Sequence, residues 1–264
     1  MDRVKELRRK AIIRRFITAL LIIIPLALLS GGIYCLASFD AFRISDISVS
    51  GNVAIKKEDV ISFLEKQAEK SFFGRIFGKN HILAWDSLSK NKLSEEFLRI
   101  KEADINREDR NIKISIKEKK EFLIWCYGPE GGEVDCVWTD DKGNAFSIAP
   151  DSEGSIVRVI YDRSEDKPNL GKDIVSSEKF GNMIHLFKII SDIGIYPKEV
   201  SISGEGKRDV ILKIDSGQEI YFDSSINPDS FVPPVLSSLM SSGEWPSVSY
   251  VDLRIEGKGF YRLR

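Results

Sequence analysis

The apolar pattern of the chain opens with one unbroken run. Residues 16–39 contain no Asp, Glu, Lys or Arg. At ~1.5 Å of rise per residue, a helix of that length crosses the ~30 Å hydrocarbon layer of a bilayer with some tilt to spare. Pro25 sits inside the run, and membrane helices tolerate proline better than soluble ones do. Gly31 and Gly32 form a small-residue pair on it, suited to lipid contact or to a close partner helix. No second run of this kind follows, so the chain beyond Asp40 is expected to fold in water.

There the pattern changes period. Residues 43–50 alternate, with Ile44, Ile47 and Val49 as apolar positions, and Gly51-Asn52 breaks the strand as a turn dipeptide. Val60, Phe63, Leu64 and Ala68 then fall near one face of a helix. Phe72, Phe73, Gly74, Phe77 and Gly78 read as an aromatic, glycine-rich connection. Its rings are expected beneath the sheet of this unit, the other reading being a membrane-facing or partner-facing patch. Asp86 is placed as the N-cap of a second helix that includes Leu88 and Phe97. Strands are expected at 100–106 and 111–118, the latter alternating Ile112, Ile114 and Ile116 with Lys113, Ser115 and Lys117. The run 117–121 is a solvated charged face.

The remainder is mostly strands: 122–127, 134–139, 145–148, 156–161, 199–203, 209–214, 218–222, 248–255 and 260–263. Glycine-containing turns separate most of them. Two helices interrupt the series. One spans 177–193, with Phe180, Met183, Ile184, Phe187 and Ile190 on its apolar face and Gly194 at its end. His185 lies off that face and is expected to be exposed. The other opens near Ser230, because Pro233 and Pro234 fit only a first turn. The fold class is therefore α+β.

Charge adds direction. The net charge of -1 gives no global signature of nucleic-acid binding. Locally, residues 1–15 carry Arg3, Lys5, Arg8, Arg9, Lys10, Arg14 and Arg15 against Asp2 and Glu6, while Asp40, Arg43 and Asp46 flank the other end. The positive-inside rule places such an N-terminus in the cytoplasm and the bulk of the chain outside. A cleaved signal peptide has a shorter apolar core, ~7–15 residues. A buried core helix would not abut so many cations.

Little in the chain is reactive. His81 and His185 have no Cys, His or carboxylate at metal-ligand spacing. There is no phosphate loop, serine elbow or H-E-x-x-H motif. No enzyme activity, cofactor or metal is expected. The sharpest catalytic alternative is a Cys/His transpeptidase using Cys126 or Cys136 with His185. Cys35 lies in the apolar run. Cys126 and Cys136 bracket a glycine-rich turn on two strands that should pair. A cross-strand disulfide is expected, against the alternative of two separately buried thiols.

The order of these elements resembles the FtsQ/DivIB family of bacterial cell-division proteins. A basic tail and one span lead to a strand ending in Gly51-Asn52, then to Asn111-Ile-Lys-Ile-Ser-Ile-Lys-Glu118. Next come Val137-Trp-Thr-Asp-Asp-Lys-Gly-Asn-Ala-Phe146 with Ala149-Pro150, and finally Val251-Asp-Leu-Arg254 before a last strand. Lys119, Lys120 and Glu121 stand where the family usually has a proline. The resemblance implies a basic tail (1–15), a transmembrane helix (16–39), a POTRA-like domain (42–118) with Gly51 and Asn52 as its motif, and a C-terminal β domain (119–264). It implies a non-enzymatic scaffold at the division septum that binds small coiled-coil membrane proteins of the FtsB/DivIC and FtsL types. The expected partner-binding residues are Tyr250, Arg254, Ile255, Phe260, Tyr261, Arg262 and Leu263, with Leu253 in the core. The alternative is an anchored POTRA adaptor for secretion or outer-membrane assembly.

Overall fold

A computed structural model describes residues 2–86, 88–150, 158–164 and 167–264, and for 2–12 and 36–38 the backbone alone. The chain divides into two compact units: Met1–Leu93 with Glu102–Lys117, and Ser94–Lys101 with Glu118–Arg264.

The first unit begins with α1 (Asp2–Ser38), a single continuous helix that carries Pro25. Its segment Ile13–Cys35 is long and apolar enough to cross a membrane, and none of it is buried against the protein. A single 3-10 turn, Asp40–Phe42, follows. Then come β1 (Asp46–Ser50), α2 (Lys57–Lys70), α3 (Phe72–Phe77), α4 (Ile82–Asp86), α5 (Asn91–Glu96), β2 (Ile100–Glu108) and β3 (Asn111–Glu118), of which residues 94–96, 100–101 and 118 count with the second unit. The sheet order is β1-β3-β2, with β1 parallel to β3. Alternation sorts β3 into buried Ile112, Ile114 and Ile116 and exposed Lys113, Ser115 and Lys117. Val60, Leu64 and Ala68 recur at helical spacing and form the buried stripe of α2.

Gly51 follows β1 at φ 77, and a Cβ there would lie 2.0 Å from the carbonyl oxygen of Ile116. Both facts require glycine. The Asn52 side chain donates to the Ile55 carbonyl at 2.9 Å, closing the turn.

Two expectations fail here. The second helix is not one element capped by Asp86 but three short ones, α3, α4 and α5. Ser71 caps α3 by accepting from Gly74 N–H at 2.9 Å, and Gly78 ends it at φ 88. Asp86 is the last residue of α4 and takes an ion pair from Arg107 at 3.1 Å. Leu88 lies between α4 and α5, Phe97 lies between α5 and β2, and Ser87 lies outside the described residues. The aromatic connection is α3 itself, and its rings are not beneath the sheet. Helix α3 meets α2 through Gly74, where a Cβ would sit 1.8 Å from Ala68 O. That close approach turns Phe72, Phe73 and Ile76 outward, and all three are exposed.

The second unit is built on β4 (Leu123–Tyr127), β5 (Asp135–Thr139), β6 (Ala145–Ile148), β7 (Val159–Asp162), β8 (Pro197–Ser203), β9 (Asp209–Ile214), β10 (Glu219–Asp223), β11 (Val248–Ile255) and β12 (Lys258–Leu263). Of the strand expected at 156–161, Ile156 and Val157 lie outside the described residues. Helix α6 (Ser177–Asp192) separates β7 from β8, and α7 (Val232–Ser241) separates β10 from β11. The strands form one sheet in the order β12-β11-β10-β9-β8-β7-β4-β5-β6. Pairings are parallel at β10–β11, β4–β7 and β7–β8, and antiparallel elsewhere.

Both helices cover one face. Phe180, Met183, Phe187 and Ile190 of α6 and Val232, Leu236 and Leu239 of α7 share a core with Trp125, Leu212, Phe222, Val251 and Leu253. Burying such side chains contributes ~1.5–3 kcal/mol each. On the β5–β6 turn, Asp140 Oδ1 accepts from the N–H groups of Lys142 and Asn144, each at 3.0 Å. Gly143 in that turn has φ 86 and approaches the Phe180 ring so closely that a Cβ would lie 2.7 Å from it. A buried charge pair, Lys207 with Asp162, also sits in this unit, and Asp162 accepts from Trp125 Nε1 at 3.0 Å. Among the described residues no helix covers the second face, which carries a small buried apolar cluster of Ile124, Cys126, Cys136 and Ala149.

Candidate functional site

Strand β12 is the outermost strand of the nine-stranded sheet, with β11 on one side and no strand on the other among the described residues. The opposite edge is β6, which is only four residues long. An edge strand presents unpaired N–H and C=O groups that another chain can complete.

The register settles which groups those are. Val248 pairs with Leu263 and Tyr250 with Arg262, so Ser249 is the extra residue of a bulge in β11. Arg264 N–H donates to Ser247 O at 2.8 Å, across β11. Alternation along β12 then turns the N–H groups of Arg262 and Phe260 toward β11 and those of Leu263 and Tyr261 away from the sheet.

Side chains divide by the same period. Val251, opposite Tyr261, is buried under α7, so Tyr261 and Leu263 stand on the helix-covered face. Tyr261 Oη donates to Glu244 just beyond α7, at 2.8 Å. Phe260, Arg262, Tyr250 and Arg254 stand on the open face. Ile255, Phe260, Tyr261 and Leu263 are 53%, 53%, 49% and 44% exposed, an apolar edge about half uncovered. Leu253 is fully buried.

Cross-strand pairing continues this arrangement across the open face. Phe260 pairs with Asp252, Asp252 with Tyr221, Tyr221 with Ile211, Ile211 with Ser201, and Ser201 with Tyr161. Tyr161 pairs with Cys126, and Cys126 with Cys136, to which it is disulfide-bonded. The polar end of this row is ordered by Arg254. Its guanidinium grips Asp252 at 2.9 and 2.6 Å, lies 3.8 Å from Asp209, and covers the Tyr221 ring at 5.3 Å. Tyr221 meets Tyr250 edge-on at 5.8 Å. The Arg254 hydrogen bond holds the Asp252 carboxyl below its ordinary range despite some desolvation. The Tyr221 hydroxyl, bonded to Glu219 and partly desolvated, is pushed up to about 12.

No family model and no curated protein matches this sequence.

The geometry bears on the catalytic alternative directly. Cys126 and Cys136 are bonded to each other and belong to the open face. His185 projects from α6, which packs on the other face, and it lies 3.3 Å from Asp229. The structure therefore does not bring cysteine and histidine together. Among the described residues, no three His, Cys, Asp or Glu side chains converge as metal ligands. Tyr221 and Asp252 adjoin the candidate residues, although nothing in the local sequence pattern marks them. Alternation in 218–222 puts Tyr221 on a face, but its neighbour is set by a parallel pairing across α7, which no local pattern encodes.

Proposed function

We propose that this chain is a single-pass, membrane-anchored scaffold of the FtsQ/DivIB type, not an enzyme. On this reading it captures small coiled-coil membrane partners of the FtsB/DivIC and FtsL types by strand addition at β12. The observation that carries the reading is the free edge of β12, with the N–H groups of Tyr261 and Leu263 turned outward beside half-exposed Phe260 and Tyr261. Each main-chain bond added there is worth ~0.5–1.5 kcal/mol, and the aromatic side chains add anchors.

Other features agree with it. Three strands in the order β1-β3-β2, with the helices between β1 and β2, support the POTRA-like reading, although three short helices stand where one was expected. The seven cations of residues 1–15 favour a cytoplasmic N-terminus. The Cys126–Cys136 bond suits an oxidising compartment outside it.

The test is capture of membrane division proteins by folded variants. Tyr261→Pro removes an outward N–H and should abolish capture while the protein still melts cooperatively. Wild-type capture by Tyr261→Pro and by a chain truncated before Phe260 would remove β12 from the mechanism. A fluorescent fusion should gather at mid-cell. Uniform membrane distribution, with capture of a secretion channel or barrel, would replace the division reading by the adaptor reading.

A further inference from the structure

The foot of α1 is joined to α3 by an unbroken series of rings. Phe39 lies 6.5 Å from Phe42, Phe42 stacks on His81 at 5.8 Å, and His81 stacks on Phe77 at 4.7 Å. Phe77 continues to Phe73 at 6.4 Å and Phe73 to Phe72 at 5.4 Å. The main chain fastens the same segments. Arg43 pairs with His81 in an antiparallel bridge, and Ile44 N–H donates to Asn80 O at 2.9 Å. Helix α3 is thus tied, contact by contact, to the residues that follow the apolar helix.

What α3 presents there is apolar. Phe72, Phe73 and Ile76 are 71%, 37% and 47% exposed, and Phe39 is 63% exposed. Isolated exposed apolar side chains are ordinary, but a contiguous series of them marks an interaction surface. Beside it is a cleft of about 390 Å³ that includes Arg43, Lys79 and His81 in its lining. Lys79 is paired with Glu65, Arg43 lies near Asp40, and Arg75 adds an exposed cation on α3 itself.

We infer that α3 is a membrane foot: Phe72, Phe73 and Ile76 enter the headgroup and acyl boundary of the bilayer that α1 crosses. This rests on α1 as a membrane span. A lipid surface is the occupant that the geometry selects, because the ring series, passing through buried His81, ties exposed α3 to the residues that follow a helix long and apolar enough to span. An interfacial apolar face of this kind sinks ~5–10 Å into that boundary. Arg75, on α3 itself, meets the headgroup phosphates. Burial of the foot fixes the first unit against the bilayer instead of leaving it to swing on residues 39–45.

The test uses the full chain in nanodiscs containing anionic lipid, with an environment-sensitive fluorophore on single cysteines and nitroxide lipids as quenchers. Native Cys35, free in this structure, reports the span. In a Cys35→Ser background, Phe72→Cys and Ile76→Cys report the foot, and Ser115→Cys, on the exposed face of β3, is the control. Each variant is first shown to melt like the parent, with Cys126 and Cys136 still bonded. The inference expects labels at 72 and 76 to be quenched by shallow nitroxides at least about twofold more than the label at 115, consistent with interfacial depth. Quenching at 35 with 72 and 76 no different from 115 would overturn the foot and leave the anchor. No quenching at any position would overturn the anchor and the foot with it. Labels at 72 and 76 that lipid leaves unaffected and a purified partner protects would assign the patch to protein instead.

Discussion

Two charge arrangements show how the second unit uses ionisable residues. Tyr221 shares its proton with Glu219 and is partly shielded from water, so its hydroxyl stays protonated up to about 12 in the folded protein. An unfolded tyrosine titrates near ~10. The folded value is the higher one, so the stabilisation is complete below ~10 and is lost as the pH rises through the folded value. An NMR titration of tyrosine rings should find Tyr221 among the last to ionise, and Tyr221→Phe should flatten the loss of stability on the alkaline side. Titration of Tyr221 near its ordinary value would refute the Glu219 bond. Lys207 and Asp162 differ in kind, because they are buried rather than half-buried. Asp162 also accepts from Trp125 and from Ser164 N–H. Removing the cation strands a buried carboxylate, so Lys207→Ala should cost ~3–5 kcal/mol in denaturant melts. A loss of ~1 kcal/mol or less, the range of surface pairs, would show that the pair is solvated.

At the scale of elements, turns and edges matter more than strand interiors. Gly51 ends β1 against the Ile116 carbonyl, and any Cβ there meets both a forbidden φ and a main-chain oxygen. Gly51→Ala should lower the stability of the first unit by ~1–3 kcal/mol or more, read as a local gain in hydrogen exchange over β1 and β3. Unchanged protection would mean that the turn can shift freely. Strand β12 allows a sharper contrast. Proline at 261 removes an N–H that faces solvent, whereas proline at 262 removes one that bonds to β11. Arg262→Pro should therefore lower the melting temperature more than Tyr261→Pro, while Tyr261→Pro is the more specific defect in partner capture. A larger thermal loss for Tyr261→Pro would mean that the alternation along β12 is displaced by one residue.

Over the whole molecule, the Cys126–Cys136 bond links two strands whose residues are already opposite each other. The linked residues are 10 apart in sequence. The loop it closes is short, so on the chain-entropy model it contributes about 3 kcal/mol. Peptide mapping without reductant should recover the two cysteines as one linked product, and reduction should lower the midpoint of the second unit while leaving that of the first in place. Two freely alkylated thiols under oxidising conditions would reject the bond. A reporter active only outside the cytoplasm, fused after Arg264, should be active, since the basic flank of residues 1–15 directs the N-terminus inward. An inactive reporter on a stable full-length fusion would reverse that orientation.

The local features were legible from the sequence because each is imposed by short-range chemistry. Uncharged residues in a run of bilayer length read as a span, and α1 supplies one helix that meets the requirement. Alternating isoleucines read as β3, and the stripe from Phe180 to Ile190 as α6. The hairpin that aligns Cys126 with Cys136 is equally local, because β4 and β5 are consecutive. The failures occurred where packing overrode pattern. Phe72 and Phe73 are hydrophobic and were expected inside, but the contact of Gly74 with Ala68 takes up the inner side of α3. The neighbours of the candidate site also belong to tertiary structure alone. Strand β11 joins β10 in parallel across α7, and only that long-range pairing puts Tyr221 beside Asp252 and sets Arg254 over its ring. Alternation tells a residue which face it occupies, but the sheet order decides which strand it meets and which strand is left at the edge.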